Sequence, residues 1–162
     1  MAMMTSEKKL RILMVCLGNI CRSPMAEGIL QRLAKEEDLP WQVDSAGTNR
    51  YHTGEAPHPS SQKVCLEHGI DISAQRARTF TAEDMNHYDL LFALATDVRS
   101  EMKKIAGASY QENKVKLIMD MIAPGQEKSV TDPWYGTEDG YYPVFQEIHA
   151  CCEAIIKKYK EQ

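Results

Sequence analysis

Residues 11 to 30 read RILMVCLGNICRSPMAEGIL, and here two cysteines, an arginine and a serine follow directly on an apolar run. At the turn between a strand and a helix these residue types suit anion chemistry. Backbone N–H groups of such a turn and the positive end of the helix dipole converge on one point, which favours phosphate-like anions. Gly18 allows a backbone conformation that a side chain would hinder. Cys16 enters the turn and Arg22 leaves it, so a curved loop can bring both to one anion. The planar guanidinium could then grip two of its oxygens. The same amides, dipole and cation favour a thiolate at Cys16 and make it a nucleophile. Ser23 could donate a hydrogen bond to that sulfur, both as it attacks and as it later leaves. Spacing alone also fits a small buried cysteine at a strand end, with an unrelated arginine after it. Gly, Asn, Arg, Ser and Pro together at one junction tip the balance toward chemistry.

Phosphoryl transfer to sulfur needs a proton donor for the departing oxygen, and VTDPWYG (130 to 136) offers Asp132. Pro133 holds the preceding residue extended. A carboxylic acid there can protonate a leaving phenolate and then take a proton from the water that hydrolyses a phosphocysteine. Taken without Cys16, Asp-Pro would read as an ordinary turn.

The elements that must position these groups follow from patterning. Residues 10 to 16 form a continuous apolar run of strand length, and Ser23-Pro24 reads as a helix start. A second strand is expected at 41 to 47, and 49 to 60 is a Gly- and Pro-containing loop. SSQKVCLEHGI reads as a helix closed by Gly69, and Thr81 as a cap for AEDMNHY. Strands are expected at 89 to 96 and 115 to 120, with a helix ending near Gly107 between them. Residues 121 to 140 read as loop, and 141 to 160 as a closing helix with Pro143 in its first turn. Strands alternating with helices imply right-handed crossovers and a parallel sheet, with ligands bound beyond the strands' carboxyl ends.

The chain has 162 residues, 43% of them hydrophobic and 26% charged, which predicts one soluble domain over 10–162 after a loose leader at 1–9. A formal net charge of −4 provides no global basic field, so nucleic acid is not an expected partner. No apolar run has membrane-spanning length and no signal peptide is evident, so a cytoplasmic protein is expected. Five cysteines without a regular framework read as reduced thiols, with Cys65, Cys151 and Cys152 packing on helices. His52, His58, His68, His87 and His149 show no paired ligand spacing, so neither a metal nor a cofactor is expected.

VCLGNICRSP resembles the Cys-x5-Arg-Ser signature of the low-molecular-weight protein tyrosine phosphatases, and DPWYG resembles their general-acid loop. DSAGT (44 to 48), HGI (68 to 70) and RART (76 to 79) fall in the family's order, so the resemblance covers the chain from residue 10. It implies an α/β fold: a four-stranded parallel sheet flanked by helices on both faces, with the phosphate-binding loop after the first strand. Cys16 would be the nucleophile, Arg22 the phosphate and transition-state clamp, and Asp132 the general acid and base. Leu17, Gly18, Asn19, Ile20, Cys21, Arg22 and Ser23 would cradle phosphate. Asn19 would hold the loop with Ser45, and Ser23 would bond the sulfur. Ile20, Tyr51, Trp134 and Tyr135 would wall a cleft for phosphotyrosine. Cys21 would trap oxidised Cys16 as a disulfide, against the plainer reading of a buried loop filler. Partners would be phosphotyrosine proteins or peptides and small phosphate or sulfate anions, with the chain a monomer or weakly self-associating.

Two positions depart from the family pattern. Gln75 stands where a histidine is common, which implies altered loop support, and Ala95 stands where an aspartate is expected. Three rival functions share the scaffold. An arsenate reductase would need a further cysteine pair, and Cys65 has no such neighbour in sequence. A protein arginine phosphatase tends to carry Thr where this loop has Ile20, and the apolar Ile20 better suits a phenyl ring. A non-catalytic phosphate-binding adaptor would not need Cys16, Arg22 and Asp132 all intact.

Overall fold

Four short strands, each with an apolar face to bury, lie side by side in the order β2-β1-β3-β4, and every pairing is parallel. The computed structural model describes residues 9–161, so the expected leader lies outside the described residues apart from Lys9. The strands are β1 (Arg11–Cys16), β2 (Gln42–Gly47), β3 (Leu90–Ala93) and β4 (Val115–Leu117). Between and after them run α1 (Arg22–Glu36), α2 (Pro59–Glu67), α3 (Asp84–His87), α4 (Thr96–Ala106) and α5 (Tyr141–Tyr159).

Alternation along β1 divides the core. Ile12 and Met14 join Phe92 on the face covered by α1, α2 and α5, while Leu13 and Val15 join Leu91 on the face covered by α3 and α4. Helices therefore cover both faces, as expected, and near-continuous apolar strands are the consequence. Along α5, Val144, Ile148, Cys151, Ile155 and Tyr159 recur at helical spacing and are buried, each fully buried apolar side chain contributing roughly 1.5–3 kcal/mol. Cys65, Cys151 and Cys152 are packed in this core, and all five cysteines are free thiols. Gly69 and Gly107 adopt positive φ at the ends of α2 and α4, where a side chain would be strained.

Several expected boundaries move. The apolar run after Leu117 leaves the sheet as a 3₁₀ turn over Ile118–Met121. Ile118 and Met119 are buried there in the α5 face of the core, and an apolar run does not by itself distinguish strand from buried turn. β3 ends at Ala93 because Thr96 already opens α4, with Ala95 buried at its N-cap. Thr81 does not cap α3. Asp84 reaches back to accept the Thr81 N–H at 2.8 Å, because its carboxylate is also held by Arg78. The segment expected to be loop contains 3₁₀ turns at Pro133–Tyr135 and Glu138–Gly140.

β1 connects toward β2 on one side, while β3 connects toward β4 on the other. That reversal opens a crevice beyond the carboxyl ends of β1 and β3, where parallel sheets bind ligands. Among the described residues no helix is long and apolar enough to cross a membrane.

Candidate active site

The loop from Cys16 to Arg22 occupies this crevice and is tied down on two sides. Beside β2, the N–H groups of Thr48 and Asn49 donate to the carbonyls of Cys16 and Leu17, each at 3.0 Å. From the α2 side, the His58 N–H donates to the Ile20 carbonyl at 2.8 Å and Ser61 Oγ to the Cys21 carbonyl at 3.2 Å. Gly47 lies directly against the loop, since a Cβ there would sit 2.9 Å from Leu17 O and 3.0 Å from Asn19 N. Backbone atoms cannot yield cheaply, so only glycine fits this approach.

The left-handed backbone conformation in the loop belongs to Asn19, at φ 59°, rather than to Gly18. Asn tolerates that region because its side chain bonds locally. Gly18 serves a different purpose: a Cβ on it would press within 3.1 Å of the His52 ring. The Asn19 side chain organises the loop. Its Oδ1 accepts the Arg78 N–H at 3.0 Å, and its Nδ2 donates to Ser23 Oγ at 2.8 Å and Ser45 Oγ at 2.9 Å.

Cys16 is 2% exposed, with its sulfur 3.0 Å from Ser23 Oγ and 3.3 Å from the Asn19 N–H that donates to it. α1 begins at Arg22 with no side-chain cap and no acidic residue in its first turn. Its dipole is thus left uncompensated at the loop, where it stabilises negative charge.

Arg22 is buried, with one guanidinium nitrogen donating to the Val130 carbonyl at 3.0 Å and another 3.5 Å from Asp132 Oδ2. Val130 is itself pinned, its N–H donating to the Leu94 carbonyl at 2.8 Å just past β3. This strap carries Asp132 over the loop although over a hundred residues separate them. Asp132 Oδ1 accepts the Trp134 N–H at 3.1 Å, so both carboxylate oxygens are aimed.

One cleft brings Cys16, Arg22 and Asp132 together, with Leu17, Gly18, Ile20 and Cys21 on its loop side. Its rim is aromatic. Trp134 and Tyr135 line it as expected, but Tyr51 does not. Tyr51 is 82% exposed, and its neighbour His52 turns inward instead, together with Asn49. A turn closed by Thr53 N–H to Arg50 O decides which adjacent side chain faces in. His52 lies tilted 5.4 Å from the Trp134 ring and is held from behind by Glu55 at 3.2 Å. His58 meets Trp134 edge-on at 5.6 Å and stacks on Tyr141 at 5.2 Å. Trp134 is thereby wedged between two imidazoles.

Gln75 supports the first turn of α1 rather than the loop, with Nε2 donating to the Pro24 carbonyl at 3.1 Å and Oε1 buried without a partner. Cys21 is buried with its sulfur 3.5 Å from the Tyr141 hydroxyl, and burial pushes its thiol up to about 12. Ser45 carries a link that sequence patterning missed, donating to Glu27 on α1 at 2.6 Å. Among the described residues, no cluster of three His, Cys, Asp or Glu side chains is arranged to hold a metal ion.

A buried thiol facing two donors, a helix N-terminus, a buried guanidinium and a carboxyl within one cleft can bind a phosphoryl group and move a proton at its leaving oxygen. Known proteins are similar to this chain in sequence and fold. A low molecular weight phosphotyrosine protein phosphatase of Dictyostelium discoideum is 34% identical, over 94% of this chain and 95% of its own. The crystal structure of YfkJ from Bacillus subtilis is 30% identical, with a TM-score of 0.86 over 95% of this chain and 96% of that one. The arginine phosphatase YwlE, in a mutant with a phosphorylated active-site serine, also reaches a TM-score of 0.86, at 27% identity over 94% of this chain and 97% of that one. Residues 11–162 match the sequence model described as low molecular weight phosphotyrosine protein phosphatase, and the chain belongs to that family.

Proposed function

We propose that the chain hydrolyses phosphotyrosine, and small aryl phosphates, through a phosphocysteine intermediate on Cys16. The reading rests above all on one arrangement: the Cys16 sulfur at 3.0 Å from Ser23 Oγ, in a cleft shared with Arg22 and Asp132. The Cys16 thiolate attacks phosphorus while Arg22 and the loop amides hold the non-bridging oxygens. The phosphorus–oxygen bond to the phenol breaks, and Asp132 delivers its proton to the departing oxygen. Water then attacks the phosphocysteine and gives a proton to Asp132. Inorganic phosphate leaves and the thiolate returns, received by the Ser23 hydroxyl. No metal or cofactor enters any step.

The rim favours an aryl group. Ile20, Trp134 and the His52 ring offer apolar contact to a phenyl ring, while the one carboxylate in the cleft that a phosphoarginine guanidinium could pair with, Asp132, serves as the acid in this reading. Turnover of phosphotyrosine, phosphoarginine and para-nitrophenyl phosphate, with arsenate reduction measured alongside in the presence of a dithiol, discriminates the activities of this scaffold. With EDTA present, phosphotyrosine and the aryl phosphate are turned over fastest. Faster turnover of phosphoarginine, or loss of activity in EDTA, would contradict the proposal. Five cysteines without a disulfide support a reducing compartment, and the cytoplasm is the one proposed.

Cys21 acts in this reading as a redox guard. Peroxide oxidises the Cys16 thiolate to a sulfenic acid. The Cys21 thiol displaces its hydroxyl, whose oxygen leaves as water with the Cys21 proton, and a Cys16–Cys21 disulfide results. After brief peroxide treatment, dithiothreitol should restore most wild-type activity and little Cys21→Ser activity. Equal recovery in both would remove the protective role.

A further inference from the structure

α2 begins on an imidazole. His58 is its N-cap, and ring Nδ1 accepts the Ser60 N–H at 3.0 Å, a task usually left to a Ser, Thr, Asp or Asn oxygen. A ring nitrogen that accepts carries no hydrogen, so the neutral ring bears its proton on Nε2. The backbone beneath the ring is fixed by Pro59 and by the His58 N–H bond to the Ile20 carbonyl at 2.8 Å. This same ring meets Trp134 edge-on at 5.6 Å and stacks on Tyr141 of α5 at 5.2 Å.

Trp134 leads on to the proposed acid. Its N–H donates to Asp132 Oδ1 at 3.1 Å within the short turn Pro133–Tyr135, so the seat of the indole and the aim of the carboxyl are linked. The indole is 47% exposed, and its ring contacts are His52 on one side and His58 on the other.

We infer that His58 is a positioning residue: its neutral ring, anchored as the cap of α2, braces Trp134 and through it aims Asp132, and protonation of the ring releases the brace. The inference rests on the reading of Asp132 as the general acid. A second proton would sit on Nδ1 and set one donor against another, the Ser60 N–H. It would also place a cation at the positive end of α2, whose first turn has no acidic residue to offset it. From the elements packed against it the ring faces Trp134, Tyr141 and, behind the Tyr141 hydroxyl, the Cys21 thiol at 3.5 Å. Burial pushes that thiol up to about 12 and raises the Tyr141 hydroxyl too, so both stay neutral in acid. Asp132 and Arg22 act on Cys21 from across the loop, whereas burial alone moves His58, holding it below the ordinary imidazole value of 6.5. Among the described residues no carboxylate pairs with its ring. The brace is therefore whole above pH 6.5 and is lost as pH falls below it.

The test is the fluorescence anisotropy of Trp134 against pH, in a Trp41→Phe background that leaves it the only tryptophan. Anisotropy should fall with an inflection below pH 6.5, as the released indole turns more freely. His58→Asn keeps a capping oxygen but has neither ring nor proton to gain. It should show low anisotropy at every pH and no inflection, while His52→Gln keeps the inflection. No inflection, one that survives in His58→Asn, or one that vanishes in His52→Gln overturns the inference. The link to Asp132 is read from kcat/KM at neutral pH, which reports the steps up to departure of the phenol. His58→Asn should lower it roughly tenfold for phenyl phosphate, whose leaving group needs the acid, and within about twofold for para-nitrophenyl phosphate. Equal losses on the two substrates overturn that link. Should His58→Asn fail to fold, His52→Gln decides alone, because it leaves His58 as the one imidazole against Trp134 among the described residues. Anisotropy needs no substrate, so a wild type inactive on every aryl phosphate would strike the phosphatase proposal and leave the anisotropy result standing.

Discussion

Cys16→Ser should lose para-nitrophenyl phosphate hydrolysis by roughly 10⁴- to 10⁶-fold, the range seen when a covalent nucleophile is removed from a hydrolase. The substitution is nearly isosteric, so the loop should keep its shape: the hydrogen bonds of Asn19 to Ser23, Ser45 and Arg78 do not involve the sulfur. A serine hydroxyl, however, is a far weaker acid than a thiol. The donors that suit a sulfur anion, the Asn19 N–H at 3.3 Å and Ser23 Oγ at 3.0 Å, cannot ionise it near neutral pH. The cleft's carboxyl, Asp132, does not replace them, because it is directed to Arg22 and the Trp134 N–H. Phosphate binding should survive, since Arg22 and the α1 terminus remain. Calorimetry with inorganic phosphate, run beside the rate assay, separates lost chemistry from lost folding. Variant turnover within tenfold of wild type would remove Cys16 from the reaction.

Asp132→Ala should slow phosphotyrosine turnover by roughly 10²- to 10⁴-fold, as expected for loss of a positioned acid. The effect should shrink as the leaving group becomes more acidic, because a stable phenolate departs without a proton. para-Nitrophenyl phosphate should therefore suffer less than phenyl phosphate in the first step. KM should change little, since in the proposed mechanism Asp132 meets the leaving oxygen and Arg22 keeps its second anchor on the Val130 carbonyl. A uniform loss across leaving groups would mean that Asp132 serves only to hold Arg22.

The parts of this site visible in the sequence are those whose chemistry is local. Cys16, Arg22 and Ser23 share one strand–helix junction, so their types and spacing together suggest one anion, although spacing alone leaves a packing role open. Asp132 is distant, yet a reaction at sulfur demands an acid and a Pro-fixed Asp was there to fill the role. The rest depended on packing. Glu27 reads along α1 as one more charged position, and only the approach of Ser45 from β2 makes it a partner. Tyr51 and His52 are adjacent aromatic rings in one turn, and composition does not say which turns inward. Gly47 reads as a strand-ending glycine, while its purpose, contact with the Leu17 carbonyl, requires the loop to be in place. The fold followed the same rule. Strand number and order of elements came from apolar runs, whereas the end of β4 did not, because Ile118 and Met119 stay apolar after the chain has left the sheet.

The phosphocysteine itself is the central claim. Asp132→Ala provides the means to see it: the first step proceeds with para-nitrophenyl phosphate, while hydrolysis of the intermediate, deprived of its base, lags. Mass analysis of protein quenched within the first turnovers should find a phosphoryl group on Cys16, released by iodine. Phosphate on any other residue, or nitrophenol released in a burst with Cys16 unmodified, would contradict the account.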